Sequence, residues 1–148
     1  MSDTNNSSMR PPKYDGKGGQ SFILWTMQFK AWLASRGAAD VTTAGFNATL
    51  PGAEADRASL DPTNGGEKKQ IEALDANAKG MYGLTLAITT PSMMCKIILE
   101  QKADADWPNG KFNNVWNKIL EDEQPDDETA EYKMEEDLRK IRLPKKKI

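Results

Sequence analysis

The first periodic run of apolar residues predicts a helix with an aromatic face. In residues 21–37, apolar side chains recur every three or four positions, as Phe22, Trp25, Phe29, Trp32 and Leu33. Ser21 is suited to cap the start of this helix, and Gly37 supplies a stop signal. Aromatic side chains on one helix face usually belong to a core, so we expect burial here rather than a ligand or peptide platform.

A long connector follows this helix. Residues 38–66 are rich in Ala, Gly, Pro, Asn and Asp, with a few scattered apolar side chains. A structureless loop of this length is uncommon in a compact domain. We therefore expect either that Phe46 and Leu50 dock the connector on the core or that the connector serves a function.

The second predicted helix runs from about Glu67 to Thr89. Its apolar face is expected to consist of Ile71, Leu74, Ala78, Met81, Tyr82, Thr85 and Ile88. Gly80 and Gly83 lie inside it, and each interior glycine costs up to about 1 kcal/mol. They indicate either a close helix crossing or a helix that begins later.

Three shorter helices complete the pattern. Pro91 interrupts the second helix, and Ser92 is the expected cap of a short third helix whose Met93, Ile97 and Ile98 face inward. The fourth covers residues 111–123, with Phe112, Val115, Trp116, Ile119 and Leu120 buried, and the fifth covers about 129–143, with Met134, Leu138 and Ile141. Between the third and fourth, Trp107 sits in a polar turn, where plugging the base of the bundle is favoured over anchoring a partner.

These patterns predict an all-α protein, a compact bundle of about five helices. The helical domain spans residues 20–143, after a flexible arm at 1–19 and before a basic tail at 144–148 that is a candidate truncation point of a longer protein. Within the arm, order is expected only around Tyr14. The structural residues expected to matter most are Phe22, Trp25, Phe29, Trp32, Leu33, Trp107, Trp116, Leu120 and Leu138.

Composition narrows the possible functions. Twenty Lys and Arg against 22 Asp and Glu give a net charge of −2, so the domain alone is expected to bind RNA poorly. With no histidine and one cysteine, a single copy has no internal disulfide, Cys/His zinc site or histidine-based catalysis. The polar N-terminus and the lack of a run of ~20 apolar residues predict neither a signal peptide nor a membrane anchor.

The sequence contains few candidates for catalytic or metal-binding residues. The acidic residues 121–123 and 126–128 flank a turn and a helix start, where a solvated, structural role is favoured over acid–base catalysis or cation binding. Cys95 lies among apolar residues and lacks a histidine to activate it, so a buried, inert thiol is expected. We predict no catalytic residue, no cofactor and no metal site, and hence a protein that is not an enzyme.

Three sequence blocks share the pattern of a known family. The first block is KYDGKGGQSFILWTMQFKAWLASRG, the second LDPTNGGEKKQIEALDANAKGMYGLTLAI and the third DWPNGKFNNVWNKILEDEQPDDETAEYKMEEDLRKIRL. In this order they resemble the N-terminal capsid-like region of Gag proteins from copia-type (Pseudoviridae) LTR retrotransposons. The resemblance spans roughly residues 13–143. Gln124 departs from the tyrosine that the family often has, and the family's downstream capsid helices and zinc knuckle do not appear.

The resemblance implies a structural capsid domain that self-associates into a cytoplasmic particle around the element's RNA. RNA would be contacted indirectly, through basic or zinc-knuckle regions outside this chain, and no membrane partner is implied. The alternative is a domesticated Gag-like adaptor that binds a host protein or peptide through a groove beside the first helix. In that case the connector at 38–66 would act as a lid.

Overall fold

The computed structural model describes residues 10–15, 21–123, 135 and 138 of the chain. Four α-helices occupy this part: α1 (Phe22–Ser35), α2 (Gly65–Ala87), α3 (Pro91–Ala103) and α4 (Phe112–Glu123). The connector between α1 and α2 forms three short 3-10 helices, Ala39–Thr42, Phe46–Thr49 and Glu54–Ser59. No strand occurs in these ranges apart from one isolated bridge between Tyr14 and Ile88, and the all-α prediction is confirmed.

Helix α1 has the predicted ends and the predicted buried face. The Ser21 hydroxyl accepts a hydrogen bond from the Leu24 amide at 3.2 Å, and Gly37 ends the helix with a φ of 74°. All five predicted side chains are buried. The ring of Phe29 stacks on Trp116 at 5.7 Å and on Phe112 at 6.3 Å between centroids. An aromatic cluster shared by α1 and α4 is therefore the centre of the core.

The connector is docked on the core rather than left as a free loop. Val41, Phe46 and Leu50 are buried, which confirms the docking predicted for the last two. The buried Asn113 amide of α4 donates to the carbonyls of Val41 at 2.8 Å and Thr43 at 3.0 Å. Burial of the three apolar side chains and the two hydrogen bonds fix the start of the connector against α4.

Helix α2 crosses its neighbours closely at the two glycines. A Cβ atom added to Gly83 would lie 2.5 Å from the Trp32 ring, and one added to Gly80 would lie 2.6 Å from the Phe112 ring. The helix begins slightly earlier than predicted, so the close crossing, not a late start, explains these glycines. Only a residue without a side chain permits these ring contacts.

The predicted apolar face of α2 is partly wrong. Ala78, Tyr82 and Thr85 are exposed, whereas the small residues and Leu84 are buried. The buried set is Ala73, Leu74, Ala76, Asn77, Gly80, Met81, Gly83, Leu84 and Ala87. Because the large aromatic side chains of α1 and α4 fill the core, α2 contributes mainly the small side chains that leave room for them.

Part of the predicted flexible arm is docked. The Tyr14 amide donates to the Ala87 carbonyl at 2.8 Å, and the Thr89 amide donates to the Tyr14 carbonyl at 3.2 Å. The Trp25 indole donates to the Pro12 carbonyl at 2.8 Å. Order around Tyr14 was predicted, and here it extends to residues 10–15; residues 1–9 and 16–19 lie outside the described part.

Several predictions for the second half of the chain need correction. Thr90, not Ser92, caps α3, because Pro91 takes the first helical position, where its missing N–H costs nothing. Ile98 and Cys95 are exposed rather than buried. Leu120 is only partly buried. The predicted fifth helix lies outside the described residues except for Glu135 and Leu138, which are helical; Leu138 is 42% exposed and is not a core residue.

Trp107 occupies the position that the sequence favoured. It is buried, and its indole donates to the Gly52 carbonyl at 3.2 Å. The Lys111 ammonium lies 5.0 Å from the ring centroid. Trp107 therefore plugs the end of the bundle between the connector and the turn before α4.

Candidate functional site: an exposed apolar helix face and a basic groove

Helix α3 has apolar side chains on its solvent-exposed side as well as on the side that packs on the core. Met93 and Ile97, four residues apart, are buried against the domain. Two parallel rows with the same spacing face outward, and we call them the α3 face: Met94, Cys95, Ile98 and Leu99. Met94 is 44%, Ile98 47% and Leu99 67% exposed, and Cys95 is exposed as well. Contiguous apolar side chains on a helix surface are typical of an interaction site.

Polar contacts hold α3 in place without using the α3 face. The Lys96 ammonium pairs with the Asp122 carboxylate of α4 at 3.3 Å. The Glu100 carboxylate accepts hydrogen bonds from the Lys111 amide at 3.1 Å and from the Asn114 side chain at 3.0 Å. These contacts fix the orientation of α3 on α4, so the apolar rows are displayed on a supported helix.

A second feature is a groove of about 900 Å³ where α1, α2 and the docked arm meet. Its walls carry four cationic side chains, two aromatic rings and three smaller groups. The lining residues are Arg10, Pro11, Lys13, Trp32, Ser35, Arg36, Lys79, Tyr82 and Leu86. Among these described residues none is acidic, and we call the feature the basic groove.

The floor of the basic groove combines fixed cations with indole and phenol rings. The Lys79 ammonium donates to the Arg36 carbonyl at 3.0 Å, and the Arg36 guanidinium lies 5.4 Å from the Trp32 ring centroid. The buried Trp32 indole N–H has no hydrogen-bond partner within the described ranges. Tyr82 is 63% exposed, so its ring is accessible from the groove.

A smaller groove of about 470 Å³ runs along the other side of α2, beside the third 3-10 helix. Its wall contains both signs of charge, including an ion pair between Arg57 and Asp75. Residues of the connector line this groove, whereas none of the described residues lining the basic groove beside α1 comes from the connector. The connector is thus not placed as a lid over the groove beside the first helix.

Only the first of the two acidic clusters lies within the described residues. Residues 121–123 end α4, and residues 126–128 lie outside the described part. Across the described chain, no three His, Cys, Asp or Glu side chains are grouped so that they could hold a metal ion. Asp61 accepts hydrogen bonds from the Thr63 hydroxyl and amide, and these bonds lower the pKa of its carboxyl. Such local bonds are typical of an aspartate that stabilises a turn.

Most of the residues named from the sequence as structural are buried. Seven are buried in the core or at its end: Phe22, Trp25, Phe29, Trp32, Leu33, Trp107 and Trp116. Sequence reasoning missed two buried amides, Asn77 and Asn113. Asn77 donates to the Gly110 carbonyl at 3.0 Å and accepts from the Phe112 amide at 2.7 Å. Its only sequence signal is a polar residue on the same helix stripe as Leu74 and Met81.

None of the helices in the described part combines the length and apolarity that crossing a bilayer requires. No protein-family model matches the chain, and searches of curated protein sequences and of solved structures find no significant match.

Proposed function

We propose that this chain is a structural assembly module that binds further copies of itself through the α3 face, as a capsid-like Gag domain would. The α3 face is the observation that carries the proposal. Large apolar side chains occupy adjacent exposed positions of one supported helix, while most other large apolar side chains in the described chain are buried.

The pattern of the α3 face suits a second copy of the same helix. Met94 with Ile98, and Cys95 with Leu99, form two ridges of side chains four residues apart. Ridges of this kind on two identical helices interdigitate about a two-fold axis, because each copy offers the ridge and the groove that the other needs. Sulfur-containing side chains adapt to such a contact with little strain.

The resemblance of the three sequence blocks to copia-type Gag proteins supports the same proposal. In that setting the particle would be cytoplasmic and would enclose the element's RNA. The composition agrees with a structural role, since the chain has no histidine and its cysteine has no histidine to activate it.

Sedimentation velocity over a micromolar to millimolar concentration range tests the proposal. The double change Ile98→Gln and Leu99→Gln leaves net charge unaltered and removes two apolar side chains, each contributing about 1.5–3 kcal/mol when buried. We expect it to weaken self-association at least tenfold. Met27→Gln on α1 is the matched control, since Met27 is 57% exposed and lies outside the α3 face.

Cross-linking gives a second measurement of the same contact. Cys95 is the single cysteine of the chain and lies in the α3 face. A short bismaleimide is expected to produce covalent dimers of the wild type and of Met27→Gln, but not of the double variant. A wild type that stays monomeric at every concentration, or dimers that form equally well in the double variant, would contradict the proposal.

The smaller groove supports a second candidate function, that of a domesticated adaptor for a host protein or peptide. Its wall places the apolar side chains of Leu74 and Met81 beside the paired charges of Arg57 and Asp75, a mixture that suits an amphipathic peptide. Thr85→Trp would narrow this groove. If capture of a defined partner depends on Thr85 and not on the α3 face, the adaptor function replaces the assembly function.

A further inference from the structure

We propose that residues 129–143 form a helix that docks on the α3 face of the same chain and so competes with a second copy for that face. The inference rests on the assembly function proposed above and adds a means of regulating it. We call this segment the tail helix. In the structure, Ile98 and Leu99 of the α3 face and Leu138 of the tail helix are all exposed, which is the arrangement of the released state.

The end of α4 lies next to the α3 face. Asp122, in the last turn of α4, pairs with Lys96 in the middle of α3. Leu99 follows Lys96 by three residues and therefore occupies a neighbouring position, one turn further along α3. Residues 124–128 can span at most about 17 Å, so they turn the chain back without carrying it away from α3.

The tail helix has an apolar stripe that fits the α3 face in spacing and in length. The members of the stripe follow one another at intervals of four, four and three residues: Ala130, Met134, Leu138 and Ile141. Glu135 and Leu138, which the structure describes, are both helical. A helix over residues 129–143 is about 22 Å long and α3 about 20 Å, so the stripe can cover the whole α3 face.

The direction of the tail helix brings opposite charges together. Helices α3 and α4 are antiparallel, since Glu100 near the end of α3 accepts from the Lys111 amide before the start of α4. A segment that returns from the end of α4 therefore runs parallel to α3. Its second half has three basic side chains and no acidic one: Arg139, Lys140 and Arg142. The end of α3, where this half would lie, has more acidic than basic side chains: Glu100, Asp104 and Asp106 against Lys102. Exposed charges contribute little energy, but they select one orientation over the other.

The short connection favours the tail helix over a second copy when the chain is dilute. A tethered partner has an effective concentration on the order of millimolar. If the two contacts are of similar strength, another copy displaces the tail helix only where the local concentration of chains approaches that value. Assembly would then begin only where chains are crowded together.

The rate at which iodoacetamide alkylates Cys95 measures the docking, since this single thiol lies in the α3 face. The full chain is used at low concentration, where a second copy competes least. Leu138→Gln with Ile141→Gln should raise the rate at least about threefold, because it lowers the docked population. Tyr132→Gln with Leu143→Gln is the matched control on the opposite side of the tail helix and should leave the rate within about 1.5-fold.

A disulfide gives a second measurement, which a loss of stability cannot imitate. Met134→Cys places a thiol on the stripe, and Tyr132→Cys places one about 200° around the same helix. Under mild oxidation of the dilute chain, Met134→Cys should form an intramolecular disulfide with Cys95 at least about fivefold faster than Tyr132→Cys. Only docking of the stripe brings the two Cβ atoms to the roughly 4 Å that the bond requires. Mass spectrometry and non-reducing gels identify the product.

Sedimentation velocity then connects docking with assembly. The variant with Leu138→Gln and Ile141→Gln should self-associate at least about threefold more tightly than the wild type, because its α3 face is free more of the time. Addition of Ile98→Gln and Leu99→Gln to this variant should abolish the gain.

Two results would overturn the inference. One is equal alkylation and equal disulfide formation in the tail-helix variants and their controls. The other is faster alkylation without tighter self-association, in a chain whose wild type does associate. Failure of the assembly function looks different: no variant would associate at any concentration, whereas Cys95 would still be alkylated faster in the variant with Leu138→Gln and Ile141→Gln. That result would remove the competition and leave the docking in place.

Discussion

Gly83 allows α2 to approach the aromatic residues of α1. A Cβ atom there would meet Trp32 at 2.5 Å and Phe29 at 3.3 Å. Alanine improves helix propensity by up to about 1 kcal/mol, but two packed rings cannot withdraw without opening the core. Packing therefore outweighs propensity at this position.

We expect Gly83→Ala to lower the free energy of unfolding by about 1–3 kcal/mol, the usual cost of overpacking. Urea denaturation followed by far-ultraviolet circular dichroism measures the change. Gly65→Ala is the control, because a Cβ atom at Gly65 meets nothing within 4 Å. Greater stability of Gly83→Ala than of Gly65→Ala would show that α2 does not cross α1 this closely.

Asn77 is the residue whose importance was least visible in the sequence. Its buried amide bonds the Gly110 carbonyl and the Phe112 amide, which joins the middle of α2 to the start of α4. Without it, the last turn before α4 would hold two backbone groups with no partner.

We expect Asn77→Ala to destabilise the fold by about 2–4 kcal/mol, because it leaves a buried donor and a buried acceptor unpaired. Thermal and urea unfolding report the loss. Gln28→Ala is the control, since the Gln28 amide is exposed on α1 and its loss should cost well under half as much. Similar costs at the two sites would contradict the bridging role of Asn77.

At the level of elements, strong apolar periodicity allowed three of the helices to be predicted well. Helices α1, α2 and α4 start and end within about two residues of their predicted limits, because aromatic stripes, glycine stops and Pro91 are local signals. Local signals also sufficed for docking of the connector through Phe46 and Leu50.

The wrong predictions of burial have a common physical cause. Whether a side chain is buried depends on which distant segment of the chain packs against it. Helix α3 has three apolar rows, and within the described residues it packs mainly against α4, which covers one of them. The sequence of α3 alone could not show this, and it therefore predicted burial of Ile98 and Cys95. The basic groove could not be predicted from the sequence for the same reason. It exists because Arg10 and Lys79, about 70 residues apart in sequence, meet after the arm docks.

Docking of the arm buries Tyr14 and should therefore make the free energy of unfolding fall at alkaline pH. Burial of Tyr14, with smaller contributions from Glu123 and Asp15, raises the pKa of its phenol from 10.0. The folded state therefore favours the neutral phenol. The stabilisation is fully present below pH 10.0 and is lost as the pH rises through the higher pKa of the folded state.

We expect the free energy of unfolding above about pH 10 to fall more steeply in the wild type than in Tyr14→Phe, which has no proton to lose. Urea unfolding across alkaline pH measures the difference, with Tyr82→Phe as a control for the loss of one tyrosine. Identical profiles for the wild type and Tyr14→Phe would mean that the arm does not bury this ring.

At the scale of the whole molecule, the two candidate surfaces use different forces. The α3 face is apolar and should be insensitive to salt, whereas the basic groove depends on charge and should weaken as salt rises. Salt dependence thus separates self-association through the α3 face from any contact made through the basic groove, without any mutation.

Self-association should also appear in stability. The proposed contact would bind folded copies and not unfolded chains, so the proposal predicts that the melting temperature rises with protein concentration. Differential scanning calorimetry over a hundredfold range would show the rise for the wild type and for Met27→Gln. Two results would argue against self-association through the α3 face. One is a wild-type melting temperature that does not change with concentration, and the other is an equal rise in the variant with Ile98→Gln and Leu99→Gln.

The aromatic cluster shared by α1 and α4 has a consequence for synthesis on the ribosome. Trp25 and Phe29 are made early, but their partners Trp116 and Phe112 are made 91 and 83 residues later, respectively. At a translation rate of roughly 5–20 residues per second, the rings of α1 lack these partners from α4 for about 4–18 s. In a polysome many such nascent chains lie side by side, so we expect chaperones to bind this helix before the other segments of the chain.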